Sequence, residues 1–117
     1  MSFTVDSAGH EPPYEQVRRQ IAEGAASGAL AAGHKLPTVR QLATDLGLAT
    51  NTVAKAYRAL EADGVIETHG RKGTFIASRR LDDSESAAVA ATYAQVARRQ
   101  GLSLDEAIRL VETSWTP

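Results

Sequence analysis

Apolar residues recur at helical spacing in three successive segments. In YEQVRRQIAEGAASG (14–28), Tyr14, Val17, Ile21 and Ala25 share one face, Pro12 and Pro13 lead in, and Gly28 supplies a stop, which predicts a first helix. A second helix starts near Val39, because Thr38 and Gln41 stand at capping-box spacing and Val39, Leu42, Ala43 and Leu46 line one face before Gly47 ends it. Leu48 reads as an apolar pin in the turn. A third helix then runs from about Thr50 to Asp63, with Val53, Ala56, Tyr57 and Leu60 inward, Gly64 as terminator, and Asn51, Ala54, Lys55 and Arg58 on the outer face. Between the first two helices, ALAAGHKLP (29–37) is too short and glycine-interrupted for a helix, and Pro37 pushes His34 to Leu36 toward an extended form. It predicts a loop with one short strand. The leading MSFTVDSAGHEPP carries no such period and reads as loose chain.

Beyond Gly64 the pattern changes. VIETH (65–69) and GTFIAS (73–78) are β-branched or aromatic runs joined by GRKG (70–73), a β-hairpin with two glycines and two adjacent cations at its tip. Three helices followed by a hairpin is the order of a winged helix-turn-helix. After a charged hinge, SRRLDDSES (78–86), two more helices are predicted: AAVAATYAQVARRQ (87–100), closed by Gly101, and LDEAIRLVETSW (104–115), opened by a capping box from Ser103 to Glu106. The fold class is therefore mainly α with a small β-hairpin: a winged helix-turn-helix over residues 1–80 and a short two-helix hairpin over 81–117. That last hairpin presents Val89, Tyr93, Val96, Leu104, Ile108, Val111 and Trp115, more apolar surface than two helices can enclose. It must cover its own first domain or a second copy, and closed two-fold dimers favour the second copy. A pocket between paired hairpins, lined by Tyr93, Val96, Ile108 and Trp115, is a candidate for a small, mostly apolar effector; a plain dimer core that includes Val111 is the alternative.

Composition narrows the class. A chain of 117 residues with 43% hydrophobic and 23% charged residues can bury a modest core and has no room for a large catalytic cleft. No cysteine is present, so disulfides, thiolate metal sites and cysteine catalysis are out. No basic-then-apolar leader or membrane-length apolar run occurs, which makes the cytoplasm the default location. The net charge of −1 hides an asymmetry: residues 35–80 hold eight basic side chains against four acidic, a balance of +4, whereas residues 81–117 hold three against six, a balance of −3. Opposite signs in adjacent segments point to an anionic partner for the first and another task for the second.

The second helix of a helix-turn-helix enters the DNA major groove, with residues of its amino-terminal end at base edges. Thr50, Asn51 and Thr52 occupy that end; their alternative role is capping. Arg40 opens the preceding helix, Lys55 and Arg58 extend the surface, and His69, Gly70, Arg71 and Lys72 form the wing, whose glycines permit close approach to a minor groove. An enzyme reading finds no support. His10, His34 and His69 lie in separate loops, no pair has metal spacing on a helix, and GRKG lacks the strand-to-helix setting of a phosphate loop, so no cofactor or metal is expected. The competing function is a winged-helix module that contacts protein instead of DNA.

Residues 13–77 also resemble the amino-terminal domain of the GntR family of bacterial transcriptional regulators, through LPTVRQLA, the NTV opening the third helix, LEADGVIE and GTFIA. The resemblance implies that Arg40, Thr50, Asn51, Thr52 and the wing glycine Gly70 contact operator DNA. There are departures: family members often carry Ser and Arg at the positions of Ala49 and Thr50, and Arg at that of Ala54, so operator sequence does not transfer. The short carboxy-terminal segment and Val39 look like the YtrA-type subgroup, whose two-helix tail serves dimerisation. The implied protein is a homodimeric repressor of a transport or metabolic operon, bound to a two-fold symmetric operator, without a membrane partner.

Overall fold

The structure, a computed structural model, describes residues 3–78 and 84–115. Residues 79–83 of the charged hinge lie outside the described residues. The chain divides into two compact units, Met1–Arg79 and Arg80–Pro117.

In the first unit, α1 spans Pro13–Ser27, α2 Val39–Leu46 and α3 Thr50–Ala62, followed by β1 (Ile66–Thr68), a single 3-10 turn at Gly70–Lys72, and β2 (Thr74–Ile76). The predicted helix faces close on one core: Val17 and Ile21 of α1, Leu42 and Ala43 of α2, and Val53, Ala56, Tyr57 and Leu60 of α3 are all buried. Full burial of the valine, leucine and isoleucine side chains in this set is worth about 1.5–3 kcal/mol each, which helps hold three short helices together. Thr38 caps α2 by accepting from the Gln41 N–H at 3.0 Å. Gly47 ends α2 in the left-handed region at φ 67°, where only glycine avoids strain, and its N–H and that of Leu48 return to α2 carbonyls. Leu48 packs against the core only partly buried.

The strands pair antiparallel, Ile66 with Ile76, Glu67 with Phe75 and Thr68 with Thr74. The loop before α2 joins them: Lys35 bridges Phe75, the Leu36 N–H donates to the Thr74 carbonyl at 2.8 Å, and the Gly33 N–H to the Ile76 carbonyl at 2.8 Å. The short strand expected there is a one-residue bridge. Tyr57 ties α3 to the same loop, its hydroxyl donating to the Pro37 carbonyl at 2.7 Å.

The segment from residue 3 to residue 12 is not loose. Phe3 and Val5 pack on the core, and two α1 glutamines act as a ladder for the extended backbone. Gln20 accepts from the Thr4 N–H at 3.1 Å and donates to its carbonyl at 2.6 Å. Gln16, only 6% exposed, accepts from the Asp6 N–H at 2.7 Å and donates to the Asp6 and Glu11 carbonyls, both at 2.8 Å. A side-chain amide offers the same donor and acceptor as a peptide group, so an arm without a partner strand is still satisfied.

In the second unit, α4 spans Glu85–Arg99 and α5 Leu104–Trp115. Ser84 caps α4 through the Ala87 N–H at 3.1 Å, and the predicted capping box of α5 is complete, with Ser103 N–H donating to Glu106 at 2.9 Å and Glu106 N–H to the Ser103 hydroxyl at 3.2 Å. Ala97 of α4 and Ala107 of α5 are buried, and the Tyr93 hydroxyl donates to the Ala107 carbonyl at 2.8 Å.

Candidate nucleic-acid interface

The turn between α2 and α3 is short because Gly47 reverses the chain within one residue and Leu48 anchors it. This presents the start of α3 outward. Its N-cap is Ala49, which has no side chain able to cap, and the first internal backbone bond is from Thr52 N–H to the Ala49 carbonyl at 3.0 Å. Leading N–H groups and the positive end of the helix dipole are thus left for an outside acceptor. Thr50 and Asn51 are exposed and Thr52 half-buried. None of the three caps the helix, so the capping role weighed against DNA contact is not the one they fill.

Arg40 and Arg58 are exposed, as are Arg71 and Lys72 on the 3-10 turn of the wing. Among the described residues, the side chains of these four cations and of Thr50, Asn51 and Thr52 make no hydrogen bond or ion pair. Seven polar groups therefore stand ready for an external partner without breaking an internal one. Lys55 differs: its Nζ sits over the Tyr14 ring, 3.8 Å from the centroid, which holds the ammonium at the edge shared by α1 and α3. His69 turns back along the hairpin, 3.1 Å from the Glu67 carboxylate and with its ring 5.6 Å from that of Phe75. Gly70 has φ 56° and open space where a Cβ would stand, so it serves backbone shape.

Two residues escaped the sequence reading. Tyr14 is only half-buried and supports Lys55, although its spacing placed it on the core face of α1. Lys35 is exposed and lies across the wing backbone: a Cβ added at Gly73, where φ is 118°, would come 2.8 Å from its Cε. The signal for Lys35 was present, since the extended backbone before Pro37 alternates Leu36 inward with Lys35 outward.

In the second unit, Val89 (59% exposed), Ile108 (45%), Val111 (43%) and Trp115 (82%) stay open to solvent, while Tyr93 and Val96 are half-buried. A shallow crevice on α5 is lined by Leu102, Glu106, Arg109, Leu110 and Thr113, and by none of the residues expected to form an effector pocket. Among the described residues no group of His, Asp or Glu is arranged to hold a metal ion, and no helix is long and apolar enough to cross a membrane.

Three helices, a wing and an open α3 terminus define a winged helix-turn-helix DNA-binding domain. Residues 13–76 match the family described as bacterial regulatory proteins, gntR family. The chain belongs to that family and is a transcriptional regulator, not an enzyme. It is 48% identical over 105 residues to the HTH-type transcriptional regulator Rv1152 of Mycobacterium tuberculosis, covering 90% of this chain and 87% of that one. It is 44% identical over 72 residues to the HTH-type transcriptional repressor YtrA of Bacillus subtilis, covering 62% of this chain and about half, 55%, of the repressor. Among solved structures it resembles the DNA-binding domain of AraR in complex with operator ORE1, with a TM-score of 0.54 and 27% identity over 66% of this chain and 94% of that one.

Proposed function

We propose that this chain is a homodimeric, sequence-specific repressor acting in the bacterial cytoplasm on a two-fold symmetric operator of a transport or metabolic operon. The amino-terminal end of α3 enters the major groove, where Asn51 reads a base edge and Thr50 and Thr52 bond bases or phosphates. Arg40, Lys55 and Arg58 neutralise phosphates flanking the groove. The wing, from His69 through Gly70, Arg71 and Lys72, reaches the neighbouring minor groove. The observation that carries this reading is the row of polar side chains around the α3 terminus, exposed at Thr50 and Asn51 and half-buried at Thr52, that make no hydrogen bond or ion pair among the described residues. A second copy covers the open face of the α4–α5 hairpin, with Tyr93, Val96, Ile108, Val111 and Trp115 at its centre. Half-sites would then lie about one helical turn of DNA apart, or a multiple of it.

The test is binding of the full chain to labelled DNA from upstream of its own gene, at two salt concentrations and against excess random competitor. A competitor-resistant, salt-sensitive complex holding two chains per site is the expected result. Binding that the competitor erases, together with capture of a protein partner by the same surface, would make the chain a protein-contact module and overturn the assignment.

A further inference from the structure

The first unit contains a cavity of about 320 Å³ that plays no part in the DNA surface described above. Its floor is the buried Leu30, Leu36 and Leu42, and its walls are the half-buried Phe3 and Leu46. Two polar side chains stand at the mouth, His34 from the loop and Asp45 from α2, both exposed. Among the described residues the Asp45 carboxylate has no ion pair or side-chain hydrogen bond. The Phe3 wall is held in place by the two hydrogen bonds between Thr4 and Gln20. An apolar floor with a few polar groups at the rim is the usual build of a small-molecule site, and this volume is at the small end of the range.

We propose that this cavity binds a small amphipathic amine: one aromatic ring or its aliphatic equivalent on the leucine floor, and an ammonium group against Asp45. The volume admits a single ring with a short side chain. Phe3 offers an aromatic edge or face to that ring, and the free carboxylate selects a cation over an anion. The same helix, α2, supplies Leu42, Asp45 and Leu46 of the cavity and Arg40 of the DNA surface. The site itself stands on the cavity and does not depend on the DNA-binding reading.

The test titrates the 15N-labelled full chain at pH 7.5, without DNA, with 2-phenylethylamine and separately with phenylacetate. The expected result is saturable amide shifts confined to residues 3–5, 30–37 and 42–46 with the amine and none with the acid. Asp45→Asn should weaken amine binding about fivefold, the size of an exposed charge pair. Leu46→Trp, which fills the cavity, should abolish binding while its circular dichroism stays that of the parent. Shifts that do not saturate, equal shifts with phenylacetate, or an unchanged affinity in Asp45→Asn would each overturn the proposal. The Asp45→Asn variant alters only an exposed side chain, so a misfolded Leu46→Trp variant would still leave a decisive result.

Discussion

Replacing Tyr57 with phenylalanine removes one oxygen atom and tests how the helix-turn-helix is held. Tyr57 is 6% exposed, and its hydroxyl is bonded at 2.7 Å to the carbonyl of Pro37, the residue before the α2 cap. The ring stays and keeps its packing, so the cost is the hydrogen bond plus a part-buried carbonyl left without that donor, about 1–3 kcal/mol. For a domain of this size that lowers the melting midpoint by roughly 5–20 °C. Alkaline pH supplies an independent check, because burial pushes the Tyr57 phenol from 10.0 up to about 12. Below pH 10 both folded and unfolded states keep the proton and stability does not vary on this account. Between pH 10 and 12 the unfolded state releases it while the folded state retains it, so stability falls as pH rises. The Tyr57→Phe variant has no phenolic proton to lose, and the gap between parent and variant should narrow across that window. Urea denaturation followed by circular dichroism at pH 8, 10 and 11.5 measures both effects. A loss under about 0.5 kcal/mol at pH 8, or a gap that stays constant to pH 11.5, would refute the role given to this hydroxyl.

Three further outcomes are expected. Arg71→Ala should weaken binding to all DNA sequences alike and reduce the magnitude of the salt slope by about one per chain, whereas Asn51→Ala should change preference among sequences; fluorescence anisotropy over a salt series separates the two. Ile108→Glu should convert the dimer proposed above to monomer in sedimentation equilibrium while leaving the helical content of α5 intact, since Ile108 is exposed in the single chain. The hydrogen bond from the Ser103 N–H, followed by the Ser103 side chain, holds the Glu106 carboxyl below 4.5, so the cap of α5 is fully present above that value and is lost as pH falls through the lowered one. Acid titration of the helical signal should show this fraying, and Ser103→Ala should shift its onset toward higher pH.

The helix boundaries and the inward faces were legible because their signals act over three or four residues. Thr38 with Gln41, Ser103 with Glu106, and the reversal at Gly47 are local chemistry, and the core of α3 follows from a period that no other element needs to supply. The polar row from Thr50 to Thr52 was legible for the same reason: it occupies the start of a helix whose inner face is already assigned.

How separate segments answer one another emerged only from their packing. Gln16 and Gln20 read as ordinary helix-surface residues, and their use as a ladder for Thr4, Asp6 and Glu11 depends on bonds spanning up to 16 residues. Lys55 was assigned from its helix face, but the Tyr14 ring that fixes its ammonium comes from α1. Lys35 acquires its place on the wing only when the loop pairs with β2, and the wing closes through a 3-10 turn at Gly70–Lys72. Short-range signals were enough for the helices, the caps of α2 and α5, and the family of the DNA-binding half, since propensity and capping are local properties of the chain. The cavity beneath Phe3, the Tyr57 anchor and the support of Lys55 by Tyr14 came from packing, because a contact between distant segments has no period along the chain to reveal it.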